Sequence, residues 1–232
     1  MSLRRPSMWL SFALAFSFCF ALGCGSSSKS SNPAQLRIMN ASPVQQSINL
    51  LIDNNTVQTG IVSQSASAYA SQAAGTYTAQ VEAFSTTSSL ASQNITLTSS
   101  TYYTLLAVEP SAGSSSLNLT LLTDDNTAPA SGDFKLRIIN ASPDFGSLDA
   151  YITAPGAGIS GSPSVSHLAF QAASSYQTLP AGSYEVYFSV SGQQVISVDS
   201  GQFTFAAGQV RTLVLMDNFG SGFTSALLAD VN

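Results

Sequence analysis

The chain has 232 residues, and 12 acidic residues against seven basic ones give it a formal net charge of -5. This acidic balance excludes the basic surface with which proteins hold nucleic acid, because contacts to phosphate depend on Lys and Arg. Hydrophobic residues make up 44% of the chain and charged residues only 8%. Such a composition predicts a folded protein with a weakly charged, hydroxyl-rich surface rather than a disordered one.

Residues 1–23 have the layout of a signal peptide. Arg4 and Arg5 precede an apolar stretch over residues 8–22, which is too short to span a bilayer, since a spanning helix needs about 20 residues. The stretch ends in the sequence ALGC, which resembles the lipobox of bacterial lipoproteins, although the most common pattern has Leu where this chain has Ala21. The resemblance implies lipidation of Cys24. The alternative is an ordinary cleaved signal in which Cys24 is incidental.

Residues 24–34 are predicted to form a lipidated cysteine and a tether. The segment GSSSKSSNP after Cys24 is polar and rich in Gly and Ser, so it cannot bury enough apolar surface to fold. By the same resemblance, the absence of Asp at position 25 implies the outer membrane in a cell with two membranes. We therefore expect an exported protein that contacts the membrane of the bacterial cell envelope through a lipid anchor. Cys19 leaves with the signal and the lipid occupies Cys24, so no disulfide is expected.

Two segments of the mature chain repeat the same motifs in the same order. LRIMNASP begins at Leu36 and LRIINASP at Leu136, and AGTY and AGSY follow them. The offset between matching positions is about 100 residues, which indicates tandem domains rather than a solenoid. We predict repeat 1 at residues 35–126, a linker at residues 127–134 and repeat 2 at residues 135–232.

Within each repeat, apolar residues alternate with a period of two. In SYEVYFSV, Tyr184, Val186 and Phe188 share one face of a strand, as expected of a half-buried β-strand. Clusters of turn-forming residues follow at intervals of about ten residues, and no helical periodicity occurs outside the signal. The pattern predicts an all-β protein made of two tandem antiparallel β-sandwich domains of immunoglobulin-like type.

The repeated motifs consist of turn chemistry, which favours a fold signature over a binding site. The residues of this signature are Arg37, Asn40, Pro43, Gly75, Arg137, Asn140, Pro143 and Gly182. The two asparagines can satisfy turn amides, and the two prolines lack the donor needed to continue a strand. The two glycines are expected to adopt a positive φ in turns that begin a strand. The two arginines are expected on the face opposite to the apolar residues of their strands.

At these motifs the chain resembles an uncharacterised bacterial family, the domain of unknown function numbered four-three-nine-seven, which is often found in tandem on exported lipoproteins. The resemblance covers nearly all of the mature chain and rests on LRIMNASP, LRIINASP, AGTY and AGSY. It implies a fold and a location in the envelope. It implies no established activity.

The sequence contains few residues of the types that carry out catalysis or bind metal ions. His167 is the only histidine, and no G-x-S-x-G motif accompanies it, so a Ser-His-Asp system is not predicted. Nitrogen and sulfur ligands for a metal ion are equally scarce. Residues 156–161 fit the dinucleotide motif G-x-G-x-x-G, but no helix pattern follows them, so we interpret them as a loop. We predict no catalytic residue, no metal ion and no cofactor.

Aromatic side chains are the best candidates for binding. Tyr103 and Tyr187 are predicted opposite the more apolar face of their strands and could pack against sugar rings or peptide side chains. We expect a non-enzymatic binding or structural module of the envelope, with an envelope protein or a polysaccharide as partner. Two alternatives remain, a carbohydrate-active or other hydrolytic module on the same scaffold, since fold does not fix function, and a simple spacer.

Overall fold

A computed structural model describes residues 32–231, so that the predicted signal peptide, Cys24 and most of the tether lie outside the described residues. The strands are β1 (Ala34–Asn40), β2 (Ser47–Ile52), β3 (Asn55–Val62), β4 (Ser65–Ala66), β5 (Ala70–Gln72), β6 (Gly75–Ala83), β7 (Ser89–Leu97), β8 (Tyr102–Val108), β9 (Asn118–Asp124), β10 (Asp133–Ala141), β11 (Leu148–Thr153), β12 (Val165–Leu168), β13 (Gln177–Pro180), β14 (Gly182–Val190), β15 (Val198–Phe205), β16 (Val210–Asp217) and β17 (Phe223–Val231). Within residues 32–231, no helix is long and apolar enough to cross a membrane.

Each repeat folds into two sheets. In repeat 1, sheet A places β4 and β5 beside β1, followed by β8 and β9, and sheet B has the order β3-β2-β6-β7. In repeat 2, sheet C has the order β13-β10-β16-β17 and sheet D the order β12-β11-β14-β15. The predicted all-β sandwich fold is confirmed. β10 begins at Asp133, inside the segment predicted as a linker.

One pair of strands in each repeat departs from the antiparallel pattern. β1 runs parallel to β8, and β10 runs parallel to β16, whereas the other strand pairs are antiparallel. A parallel pair needs a long connection between its strands. Here the connection contains the strands of the second sheet, so the chain leaves the first sheet after β1 or β10 and returns to it at β8 or β16.

Alternation along the strands gives each repeat its own core. Leu36 and Ile38 of β1 pack between sheets A and B. Leu136 and Ile138 occupy the same positions between sheets C and D, where they meet Phe188. Burial of such side chains stabilises each sandwich by about 1.5–3 kcal/mol per residue.

A third apolar cluster joins the two repeats. It contains Met39 and Leu106 from sheet A, and Ile139 and Val214 from sheet C. These side chains point away from the cores within the repeats, because successive side chains of a strand alternate between faces. Sheets A and C are therefore apolar on both faces and pack against each other, and the two repeats form one compact unit.

Two buried arginines cross this interface, and Arg37 is the first. Its side chain is only 2% exposed. It donates to the carboxylate of Asp230 and, at 2.9 Å, to the carbonyl oxygen of Ala229 in the other repeat. Its Nε donates at 2.8 Å to Thr104 Oγ1 in its own repeat.

Arg137 makes the mirrored set of contacts. It donates to the carboxylate of Asp124 and, at 3.0 Å, to the carbonyl oxygen of Thr123, both in repeat 1. Its Nε donates at 3.0 Å to Thr212 Oγ1 in repeat 2. Burial alone would lower the pKa of Arg137, but the charge of Asp124 and its neighbours raises it. Each repeat thus supplies the arginine that neutralises a carboxylate of the other.

A tyrosine completes each ion pair. The phenol of Tyr69 donates to Asp124 Oδ2 at 2.6 Å, and that of Tyr176 donates to Asp230 Oδ2 at 2.9 Å. Burial raises the pKa of both phenols well above the usual value. Both tyrosines therefore stay neutral and serve as hydrogen-bond donors.

The asparagines of the NASP motifs hold the turns that end β1 and β10. Asn40 Oδ1 accepts from the amide of Ser42 at 3.3 Å, and its Nδ2 donates to two carbonyl oxygens at 2.9 and 3.2 Å. Asn140 makes the equivalent bonds to the Ser142 amide and to two carbonyl oxygens. Pro43 and Pro143 follow these turns and do not continue the strands.

The glycines of AGTY and AGSY have a different role from the predicted one. The predicted positive φ is found at Gly75, where it is 159° and close to an extended backbone, but not at Gly182, for which the prediction is wrong. Instead, Tyr77 folds back over Gly75, and Tyr184 over Gly182. Each phenol donates at 2.9 Å to the carbonyl oxygen two residues before its glycine. A Cβ at Gly75 would lie 3.2 Å from the phenol oxygen, which favours glycine at this position.

Candidate functional site

Each NASP turn holds a buried carboxylate at the end of a central strand: Glu109 directly follows β8, and Asp217 is the last residue of β16. In repeat 1, Ser42 Oγ donates to Glu109 Oε1 at 2.5 Å, and the amide of Val44 donates to the same oxygen at 3.1 Å. The amide of Gly113 donates to Glu109 Oε2 at 2.8 Å. The loops around this carboxylate are thereby fixed by its two oxygens.

Repeat 2 has a shorter acid at the equivalent position. Ser142 Oγ donates to Asp217 Oδ1, but Asp217 Oδ2 is buried without a hydrogen-bond partner. Among the carboxylate oxygens of residues 32–231, it is the only one in this state. The side chain of Asp217 is 6% exposed, and it forms no ion pair with a described Lys or Arg.

The charge of Asp217 is poorly compensated. Burial raises the pKa of its carboxyl group, and hydrogen bonding from Ser142 and from the backbone of Asp144 opposes this rise. The negative charges of Asp144 and Glu109 raise it further. Since Glu109 belongs to repeat 1, the two carboxylate turns lie close enough to act on each other electrostatically.

A cleft of about 380 Å³ opens where the two carboxylate turns meet. Its lining includes Pro43, Val44 and Gly113 from repeat 1, and Asp144, Asp217 and Phe219 from repeat 2. The volume lies within the usual range for a small-molecule site, roughly 300–1,000 Å³. We call it the NASP cleft, and neither repeat forms it alone.

The loop at residues 218–222 provides one wall of the NASP cleft. The Asn218 amide donates to the Gly222 carbonyl oxygen at 2.9 Å, and Gly220 and Gly222 have φ angles of 88° and 78°. This left-handed conformation is readily adopted only by glycine. The loop presents the ring of Phe219, which is 71% exposed, the highest value among the large apolar side chains of the described residues.

The motifs that build this site also identify the family. The model of the family described as "Domain of unknown function (DUF4397)" matches residues 34–151. The chain belongs to this family. The match covers repeat 1 and the first strands of repeat 2, and it includes both NASP motifs of this DUF4397 protein.

Comparisons with other known proteins add no function to the DUF4397 assignment. No curated protein matches the chain. Several solved structures resemble it, and at the TM-scores of the following three the likeness assigns neither ligand nor activity. CBMbc (family CBM26) from Eubacterium rectale Amy13K, in complex with maltoheptaose, is 10% identical and has a TM-score of 0.28, with 86% of this chain and 97% of that chain covered. The TIE protein of Bacillus anthracis is 11% identical with a TM-score of 0.27 and coverages of 84% and 34%, and a leucine-rich repeat protein from Bacteroides thetaiotaomicron is 13% identical with a TM-score of 0.23 and coverages of 82% and 26%.

A second groove of this DUF4397 protein, of about 580 Å³, runs along the interface near Lys135 and Arg137. Lys135 Nζ lies 2.7 Å from Asp125 Oδ2, and its hydrogen bond lowers the pKa of Asp125 to about 2. Arg137 is paired with Asp124. Because both cations have acidic partners, the groove offers little attraction to an anionic ligand.

The two tyrosines predicted as binding residues lie outside the NASP cleft. Tyr103 is 6% exposed and belongs to the core of repeat 1, where its phenol accepts from the Thr98 amide at 3.2 Å. Tyr187 lies on the outer face of sheet D and is 5% exposed. Neither forms part of an exposed aromatic platform. β8 is apolar on both faces, so alternation in the sequence did not show which face Tyr103 occupies.

The G-x-G-x-x-G segment is a loop, as predicted, and it lies across the outer face of sheet D. The Gly156 amide donates to Glu185 Oε2 at 2.6 Å. This bond lowers the pKa of Glu185, and the hydrogen bond with Glu185 raises the pKa of Tyr187 to about 12. The first glycine amide of the motif thus binds a carboxylate of the protein itself, where a nucleotide site would bind phosphate.

His167 lies at the edge of sheet D, in β12, and its side chain is exposed. Its backbone amide donates to Asp149 Oδ1 at 2.7 Å. In the part of the chain that the structure describes, no three His, Cys, Asp or Glu side chains group together to hold a metal ion. His167 is not among the residues that line the NASP cleft.

Proposed function

We propose that this protein is a non-enzymatic binding module and that the NASP cleft is its ligand site. The observation that carries the proposal is the unpartnered oxygen of Asp217 beside the exposed ring of Phe219. An acceptor that is buried without a donor destabilises a protein by roughly 1–3 kcal/mol. A ligand that donates to Asp217 would relieve this penalty, and the ring of Phe219 would supply apolar contact area.

The position of the cleft supports the same proposal. Both repeats contribute to its walls, and the buried ion pairs and the third apolar cluster hold the two repeats together. Apart from the loop at residues 218–222, the walls therefore need little ordering when a ligand binds. The duplication would thus serve function, because it creates a cleft that a single repeat lacks.

The residues at the cleft favour binding over hydrolysis. Ser142 donates its hydroxyl proton to Asp217 within a buried turn, and the histidine that would activate a serine lies elsewhere, at His167. A nucleophile and a base within hydrogen-bond reach are the signature of covalent catalysis. Ser142 and Asp217 are within this reach, but Ser142 is fully buried and does not line the NASP cleft.

Binding can be tested with a panel of envelope polysaccharide fragments and envelope peptides. We would titrate the mature chain carrying Cys24→Ser, its Phe219→Ala variant, and a control variant, Val195→Ala, which truncates another exposed apolar side chain. Saturable binding that Phe219→Ala weakens and Val195→Ala leaves unchanged would support the proposal. Binding that ignores Phe219→Ala would contradict the assignment of the site, and cleaved fragments in the mass spectrum would contradict a non-enzymatic role.

We also propose that the module is exported and anchored in the bacterial cell envelope through lipid on Cys24, at the outer membrane where the cell has two membranes. The lipobox-like sequence ALGC and the polar segment after it support this address. Intact-mass spectrometry of the membrane fraction should show an acylated chain that begins at Cys24 and is lost in Cys24→Ser. An unmodified chain in the culture medium would refute the anchor.

A further inference from the structure

The buried acids of the two repeats are of two kinds. Asp124 and Asp230 each face a buried arginine. The other four buried acids have no cationic partner among the described residues: Glu109, Asp149, Glu185 and Asp217. Hydrogen bonds reach the first three, and none of their oxygens is buried without a partner. Asp217 therefore stands out as the buried carboxylate with both an uncompensated charge and an unused acceptor oxygen. Such a group favours a ligand that brings a positive charge.

The other charged side chains around the NASP cleft are negative, like Asp217. Asp144 is an exposed acid in its lining. The negative charge of Glu109 raises the pKa of the Asp217 carboxyl group. The lining contains no Lys or Arg. A cleft with low-dielectric walls and charges of one sign raises the local concentration of ligands of the opposite sign, so an anionic ligand is disfavoured here.

The chemistry of the lining points to an organic cation rather than a metal ion. Divalent cations in proteins take several oxygen ligands, with six or more common for Ca²⁺, whereas the cleft contributes two carboxylates and no group of three ligating residues is found in residues 32–231. An ammonium group carries three N–H donors. The face of an aromatic ring attracts cations, and it also packs against the apolar face of a sugar ring. The exposed side chain of Phe219 offers such a face.

The loop at residues 218–222 provides the access that this binding needs. Asp217 Oδ2 is buried, so a ligand reaches it when the adjoining loop shifts. Gly220 and Gly222 have no atom within 4 Å of the position where a Cβ would stand, so there is open space around the loop. Phe219, which has most of its ring in solvent, can move with the loop without disturbing the core.

We propose that the NASP cleft binds the protonated amine of an amino sugar, with the ammonium group between Asp217 and Asp144 and the sugar ring against Phe219. This inference rests on the proposed binding function and specifies the class of its ligand. The positive charge is the specificity-determining property, so acetylation of the amine abolishes recognition.

A matched pair of sugars tests the charge directly. The mature chain carrying Cys24→Ser is titrated with the β-1,4-linked trimer of glucosamine and with its fully N-acetylated counterpart, at low ionic strength and at a pH at which the amine is protonated. Calorimetry should show binding of the glucosamine trimer at least about tenfold tighter than binding of the acetylated trimer. Added salt should weaken it, because screening reduces the attraction between charges.

Two variants test whether the preference for the protonated amine depends on Asp217. Asp217→Asn keeps the shape of the side chain and removes its charge, and it should weaken binding of the glucosamine trimer about tenfold. Asp53→Asn removes one charge from an exposed turn of repeat 1 and should leave binding unchanged, which controls for the net charge of the protein. Thermal unfolding of both variants verifies that they are folded.

The outcomes separate this inference from the proposed function. If the acetylated trimer binds as tightly as the glucosamine trimer and Phe219→Ala weakens both, the ammonium specificity is refuted and the binding function stands. If neither trimer binds, the inference is refuted, and the panel of envelope ligands decides the function. Equal weakening by Asp53→Asn and Asp217→Asn would assign the effect to overall charge and would also refute the site.

Discussion

Removal of the charge on Asp124 tests the ion pair that crosses between the repeats. Asp124 accepts hydrogen bonds from Arg137 in the other repeat, and from Thr104 and Tyr69 in its own. Asp124→Asn leaves the shape of the side chain nearly unchanged but leaves the guanidinium of Arg137 buried without its counter-charge. Breaking a buried ion pair in this way destabilises a protein by about 3–5 kcal/mol.

This loss is a large fraction of the stability of the molecule. Domains unfold with a free energy of about 5–15 kcal/mol, and 1 kcal/mol shifts the Tm of a chain of this size by about 2–4 °C. We expect Asp124→Asn to lower the Tm by about 6–20 °C, measured by circular dichroism. The control Asp53→Asn, in an exposed turn, should stay within about 0.5 kcal/mol of the parent protein.

A double variant distinguishes the charge from the packing. Replacement of both partners, Asp124→Asn with Arg137→Gln, removes both charges and keeps a side-chain oxygen that can accept from Thr104 and Tyr69. It should recover part of the lost stability, because no buried charge is left without its counter-charge. An Asp124→Asn variant that remains within about 1 kcal/mol of the parent would show that the reasoning is wrong. Two separate unfolding transitions would refute the coupling of the repeats.

Three further predictions follow from the turns and the cleft. Asn140→Ala removes three hydrogen bonds at the end of β10 and should destabilise the protein by about 2–3 kcal/mol in urea unfolding, and an effect below about 0.5 kcal/mol would contradict this role. Glu185→Gln weakens the acceptor of the Gly156 amide, so hydrogen exchange of residues 154–164 should become faster, and unchanged exchange would contradict the contact. Folding raises the pKa of Asp217, so the folded state binds its proton more tightly and stability should rise as the pH falls from neutral through that pKa towards the ordinary value of 3.8. This part of the pH dependence should be absent in thermal melts of Asp217→Asn, and identical profiles would refute it.

Much of the fold could be predicted because the sequence contains two copies of the same motifs in the same order. The repeated NASP motif marked the end of the first strand in each repeat, because its proline lacks the donor needed to continue a strand. Alternation placed Arg37 on the face opposite to the apolar residues of β1. It did not show that this face is buried against the other repeat, because an arginine beside apolar residues also occurs on exposed sheets, and its partner Asp230 is far away in the sequence.

The candidate site was harder to predict because it depends on side chains from both repeats. The sequence carried one indication, since TLLAV is followed by Glu109 and the matching TLVLM by Asp217, which places an acid at the same position after two central strands. Asp217 is one methylene group shorter than Glu109, and one of its oxygens has no hydrogen-bond partner. This second difference cannot be seen without the positions of the surrounding donors. For the AGTY motif, the tyrosine that folds over Gly75 determines the residue type, whereas composition suggested a turn.

The ion pair between Arg37 in β1 and Asp230 in β17 also constrains the order of folding. During synthesis the first repeat emerges with Arg37 and the outer face of sheet A still open to water, and this face cannot close until β17 is available. Contacts between residues so distant in sequence slow folding, because a long loop must be ordered before they form. An incomplete chain would leave the apolar outer face of sheet A exposed to water and would unfold readily, which exposes it to proteolysis. The interface therefore makes persistence in the cell conditional on a complete second repeat.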